Sequence, residues 1–155
     1  MDLSKLQVSI QAHYLAPANP QLTIDFTVHN HFDHPVTIQI WDTPLDSRCA
    51  LLGIIEIRDT ASNTLLPMDK VYFSRKLPPP PESFVQIDAF EEATNSVSLP
   101  MKLDVGKEYR TEAKGRWKAV WDGEIEGIGR NSMETFAGAG MGDFASNKVA
   151  VKTKM

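Results

Sequence analysis

Three histidines stand close together in His29-Asn30-His31-Phe32-Asp33-His34, the densest group of metal-capable side chains in the chain. Imidazole nitrogens suit zinc or copper. His29 and His31 share a face only while the backbone stays extended, and a turn would carry His34 elsewhere. Asp33-His34-Pro35 is also ordinary turn chemistry, so the expectation is a polar hairpin loop without a metal. Cys49 is the sole cysteine. As a nucleophile it would need an oriented base, and none can be assigned; beside Ala50 and Leu51 it reads as a small core residue. Glu91 and Glu92 are adjacent on a polar turn and point apart, which suits a solvated surface better than an acid–base pair. Ala137-Gly138-Ala139-Gly140-Met141-Gly142 lacks the strand before it and the helix after it that a phosphate-cradling loop requires. No catalytic residue, metal or cofactor is therefore expected.

Two aromatic sets are better placed for recognition. Ile40-Trp41-Asp42-Thr43-Pro44-Leu45-Asp46 reads as a strand running into a fixed corner. Trp41 supplies a large ring, Pro44 forces Thr43 toward extended geometry, and Asp42 or Thr43 can accept a local backbone hydrogen bond. Trp117 and Trp121 lie four apart in a strand-like run and so are expected on one face, lining a pocket or filling one end of the core. Trp41, Asp42, Thr43, Pro44, Trp117 and Trp121 are the candidate binding residues.

The elements that must carry these residues read as β-strands. Leu6–Ala12, Leu22–Val28 and Val36–Ile40 alternate apolar and polar residues, the period of a strand with one buried face. Leu51–Ile57, Val71–Phe73, Phe84–Ile87, Ser96–Leu99, Tyr109–Val120 and Ser146–Thr153 are further strand segments, with Gly115 marking a bulge inside the longest. Asp88–Asn95 reads as an acidic turn with one turn of helix. Pro17, Asn19 and Pro20 break the chain after the first strand. Pro78–Pro81 is four consecutive prolines, a stiff extended connector. Residues 122–144 are Gly-rich and weakly patterned, and read as a long loop. Turn signals recur at roughly the 8–12-residue spacing of all-β folds. The expected fold is an antiparallel, immunoglobulin-like sandwich of about seven to nine strands, one domain over residues 1–155.

Composition agrees with that class. The chain has 155 residues, 42% of them hydrophobic and 23% charged, and a net charge of -4. An acidic balance gives no reason to expect nucleic acid or anionic membrane as partner. No run approaches the ~18 apolar residues of a membrane-spanning helix. One cysteine and no apolar leader suit the cytoplasm; a chain trimmed of a signal peptide would read the same way, as a secreted protein.

The strand Leu22–Val28, Asn30, the strand Val36–Ile40 and the phrase Trp41–Leu45 together resemble the N-terminal β-sandwich region that precedes the zinc peptidase domain of fungal deuterolysin-type and peptidyl-Lys metalloendopeptidases. Fainter similarity runs through Ile54–Arg58, Val71–Arg75, Phe84–Ile87 and Tyr109, so that residues 5 to 120 are covered. The His-Glu-x-x-His helix that binds zinc in those peptidases has no counterpart here. The resemblance implies the sandwich without the enzyme: a folding, inhibitory or recognition role, with a protein or peptide, or a second copy of the chain, as partner. The alternative is a small-molecule-binding protein or enzyme whose site lies between the sheets or under the Gly-rich segment.

Overall fold

In the computed structural model, which describes residues 1–15, 20–68, 70–71 and 74–153, the alternating segments become the two layers of an antiparallel sandwich. The smaller sheet has the order β1 (Leu6–Leu15), β2 (Gln21–Asn30), β7 (Glu92–Leu99). Its inward side chains include Leu6, Val8 and Ile10 from β1, Leu22, Ile24, Phe26 and Val28 from β2, and Val97 and Leu99 from β7, all buried. Each Leu, Ile or Phe sealed this way contributes about 1.5–3 kcal/mol, which is why the period-2 pattern dictates register.

The larger sheet is organised on β8 (Glu108–Asp122). The first half of β8 is flanked by β4 (Ile55–Asp59) and β10 (Val149–Lys152), its second half by β3 (Val36–Gln39) and β9 (Gly140–Ala145). The short strands β5 (Thr64–Leu65) and β6 (Phe84–Ile87) lie outside β4 and β3. Every residue of β3 is buried. Val36 and Ile38 join the main core, whereas Thr37 and Gln39 face the opposite side of the sheet.

That opposite side is covered by the segment read above as a loop. Residues 122–144 instead hold the end of β8, a 3-10 turn at Ile125–Gly127, the helix α1 (Arg130–Thr135) and most of β9. Trp121, Phe84 and Ala119 form a second apolar cluster, against which Ile125, Ile128, Met133, Phe136 and Ala139 pack. The apolar residues are too widely spaced among glycines to show a helical or strand period, so the pattern is visible only once a sheet lies beneath it.

Other boundaries shift as well. Cys49–Leu51 is a 3-10 turn and the strand after it starts only at Ile55, not Leu51. The turn after β6 is shorter than expected, and β7 already begins at Glu92 within the span assigned to a turn. The bulge of β8 sits between Trp117 and Val120, not at Gly115. Gly115 serves a different need: a Cβ there would stand 2.7 Å from the Phe144 ring. Strands number ten among the described residues, where about seven to nine were expected. Pro17 and Asn19, and the Tyr72-Phe73 part of the expected Val71–Phe73 strand, lie outside the described residues.

Asparagine side chains tie the layers together by imitating backbone. The fully buried Asn30 donates from Nδ2 to the carbonyls of His34 (3.0 Å), Ile87 (3.0 Å) and Asp88 (3.1 Å). Its Oδ1 accepts from the Phe32 amide at 2.8 Å. One side chain thus fixes the β2–β3 turn and the end of β6. Asn147 closes the sandwich elsewhere, accepting from the Ile10 amide at 2.8 Å and donating to the Ile10 carbonyl at 3.3 Å. Replacing Asn30 by Ala would orphan the buried Ile87 carbonyl and leave those of His34 and Asp88 without this partner. Urea unfolding of Asn30→Ala should show a loss of about 2–4 kcal/mol, against less than ~0.5 kcal/mol for the exposed Asn131→Ala.

Candidate functional site

The corner after β3 is built from side chains that satisfy one another. The Thr43 hydroxyl donates to the Ile40 carbonyl at 2.6 Å and accepts from the Leu45 amide at 3.2 Å. Asp42 sits at φ 61°, a left-handed position that Asp tolerates better than most residues. The Asp46 carboxylate, only 5% exposed, accepts from the amides of Asp42 (3.0 Å) and Arg48 (2.9 Å). Arg75 then neutralises it, with Nη2 at 2.7 Å from Asp46 and 3.2 Å from Asp42. The same guanidinium lies 5.2 Å from the centroid of the Trp41 ring, a cation–π distance. Lys118 of β8 reaches Asp42 at 2.7 Å. Burial raises the Asp42 pKa, but the hydrogen bonds and charges of Lys118 and Arg75 outweigh it and hold the carboxyl below its ordinary value. From the other sheet, Asn95 donates to the carbonyls of Pro44 (2.9 Å) and Asp46 (3.1 Å).

Of the four corner residues singled out by sequence, Thr43 and Pro44 are therefore turned inward and buried, while Trp41 and Asp42 reach clefts. One cleft of about 460 Å³ lies between Ile40, Trp41, Arg75, Pro80 and Ser83. A second, of about 630 Å³, lies on the far side of Asp42, along Lys114–Lys118 of β8. Nothing local signals the Arg75–Asp46 partnership, because the two are joined across a long loop. The alternation Lys114, Arg116, Lys118 is a local signal for the second cleft.

Trp117 and Trp121 do not share a face. The extra residue between Trp117 and Val120 reverses the parity of β8. Trp117 stays wholly inside the main core, 4.9 Å from the Phe144 ring centroid. Trp121 turns to the outer side of the sheet and donates its Nε1 hydrogen to the Ala137 carbonyl at 3.0 Å. Phe84 and Phe136 flank it at 5.9 and 6.3 Å between centroids. The indole thus anchors the 123–139 excursion. Beside it the prolines Pro78–Pro81, with Phe84, Ile125 and Met133, line an apolar groove of about 450 Å³ rimmed by Glu126, Arg130 and Glu134.

The remaining candidates resolve into local contacts. His29 faces Glu92 at 3.5 Å and His31 meets Gln7 at 2.8 Å. Among the described residues no group of three or more His, Cys, Asp and Glu side chains could hold a metal ion. On the outer face of the smaller sheet, Ser96 donates to Asp25 at 2.6 Å and His13 contacts the same carboxylate at 3.2 Å. The carboxylate, not the imidazole, is central there, so the serine has no base.

His34 bridges two carboxylates, Nδ1 to Asp33 at 2.9 Å and Nε2 to Asp122 at 2.8 Å. Both nitrogens can donate only in the imidazolium form. The hydrogen bond to Asp33, then that to Asp122, raises the His34 pKa above 6.5. The stabilisation is complete below pH 6.5 and is lost as pH rises through the raised value. The melting temperature of the native chain should exceed that of His34→Gln below pH 6.5, and the two should converge above the raised pKa, which a ¹H–¹⁵N titration of the ring locates. Cys49 is fully buried, and burial followed by the Asp46 charge pushes its thiol up to about 12. A chromogenic disulfide reagent should leave the folded protein untouched and titrate the thiol only in denaturant.

Residues 5–153 match the family described as the immunoglobulin-like domain. An uncharacterized secreted protein of Arthroderma benhamiae is 33% identical over 139 residues, covering 86% of this chain and 70% of that protein. A solved structure, Northeast Structural Genomics Consortium target SoR45, superposes over 97% of this chain and 88% of its own at a TM-score of 0.41 and 9% identity. The match over nearly the whole sequence, on a two-layer antiparallel sandwich, makes the chain a member of the immunoglobulin-like domain family.

Proposed function

We propose that the chain is a non-catalytic binding module for an extended protein or peptide segment, received in the groove between Pro78–Pro81 and α1. The observation that carries this reading is the composition of that groove: an apolar floor with a rim of alternating charge. The prolines hold one wall in a fixed backbone shape, so that docking would order little on the protein's side. The Trp121 anchor and the second cluster hold the opposite wall. Among the described residues the polar constellations that might suggest catalysis lack an oriented base or a metal set.

One similarity bears on location and one resemblance on role. The Arthroderma benhamiae relative is a secreted protein, which supports export over the cytoplasmic location that one cysteine suggested. Kinship with the sandwich that precedes the peptidase domain of fungal deuterolysins would make this a sandwich that recognises or restrains a partner. A sandwich alone cannot specify chemistry, and the groove is what gives this reading its content.

A photo-crosslinking residue at Met133 tests it. Irradiation in native culture filtrate should attach one protein or peptide species, identified by mass spectrometry, and charge reversal at the exposed rim, Arg130→Glu, should weaken the adduct without touching the apolar cluster. A stoichiometric small molecule with no peptide adduct would defeat the reading.

A further inference from the structure

Farther along the same outer side of the larger sheet, positive charge is concentrated in an acidic protein. The cleft of about 630 Å³ beside Asp42 is lined by Lys70, Lys114, Arg116 and Lys118, while the whole chain carries a net charge of -4. Asp42 is the one carboxylate in the lining, and Arg75 and Lys118 already hold it. Lys114 is shared between Glu112 at 3.2 Å and Glu56 at 3.7 Å. Arg116 has no carboxylate within ion-pair distance among the described residues, although it is the residue best shaped to grip one.

The placement of these cations follows from local structure. Lys114, Arg116 and Lys118 alternate along β8, so that strand geometry sends them to one side. Lys70 comes from a distant loop and is laid across Gly53, where φ is +77° and an added Cβ would stand 2.7 Å from Lys70 Cε. The glycine therefore admits the lysine stem and sets its ammonium group at the cleft wall. Phe136 and Met141, the latter 62% exposed, add apolar surface to the same lining. Lys118 and Lys114 are compensated by Asp42, Glu112 and Glu56, so Arg116 is the cation in the lining to which an entering anion brings a first carboxylate-like partner.

We infer that this cleft binds a small organic anion, with its carboxylate, sulfate or phosphate group on Arg116 and the flanking lysines and an adjoining apolar group against Phe136 and Met141. The volume is that of a small-molecule site. A guanidinium offers such a head two parallel donors, and the lysines add charge without fixing geometry. The cleft is separate from the proline-lined groove, and each stands or falls alone.

The test is a titration of ¹⁵N-labelled protein with 4-phenylbutyrate, phenyl sulfate and phenyl phosphate at low salt, with 4-phenylbutan-1-ol as the uncharged control. The anions should shift the amides of Gly53, Gly115 and Met141, the tightest of the three identifying the head group, and the alcohol should not. Added salt should weaken binding. Arg116→Glu should weaken it about tenfold or more, with the rest of the spectrum unchanged. Met141→Ser should weaken the phenyl-bearing anions and leave inorganic phosphate unaffected. Equal binding of the alcohol, an unaltered affinity in Arg116→Glu, or shifts with a poly-glutamate peptide but with none of the small anions would overturn the inference.

Discussion

One extra residue in β8 decides how this sandwich is layered. Between Trp117 and Val120 the strand advances three positions while β9 advances two, from Gly142 to Gly140. Before the bulge, Tyr109, Ala113 and Trp117 fill the main core; after it, Val120 takes over that task and Ala119 and Trp121 face outward. Without the reversal, Trp121 would compete with Val120 for the interior, and the outer side of β3 would have nothing large to pack against. The bulge thus creates the second apolar cluster, and that cluster gives the glycine-rich excursion a reason to fold back on the sheet.

The same economy appears in how the two layers are joined. Apolar packing sets the distance between sheets but not the path of the chain around their ends. That path is fixed by amide and carboxylate side chains that replace backbone partners. Asn30 holds the end of β6, Asn147 occupies both polar groups of Ile10, and Asn95 holds the corner from which Asp46 and Arg75 extend. Each meets backbone groups that are buried or partly buried, where a lost partner costs more than at the open surface.

The strands were legible because alternation is a local property. β1, β2 and β3 can be read off Leu6–Ile10, Leu22–Val28 and Val36–Ile38 without knowing what covers them. The corner at Trp41 was legible as a corner for the same reason. What escaped was non-local. The shift of parity inside β8 leaves the residue types unchanged and moves only their facing, so Trp117 and Trp121 looked like neighbours. The role of 123–139 depended on a sheet surface made by other segments. Arg75 and Lys70 reach their partners from a stretch with no periodic signal, and nothing short of the folded chain brings them to Asp46 and Gly53.

Cys49 lies at the centre of this arrangement, with Asn95 Nδ2 at 3.9 Å from its sulfur. It is the chain's one thiol, and it is sealed and kept protonated. Thiol–disulfide exchange needs an accessible thiolate, which this environment denies. The covalent connectivity of the folded chain is consequently indifferent to the glutathione poise around it. Such a domain can pass from a reducing to an oxidising medium without acquiring a cross-link or a mixed disulfide, and needs neither a chaperoned pairing step nor a staple to keep its shape.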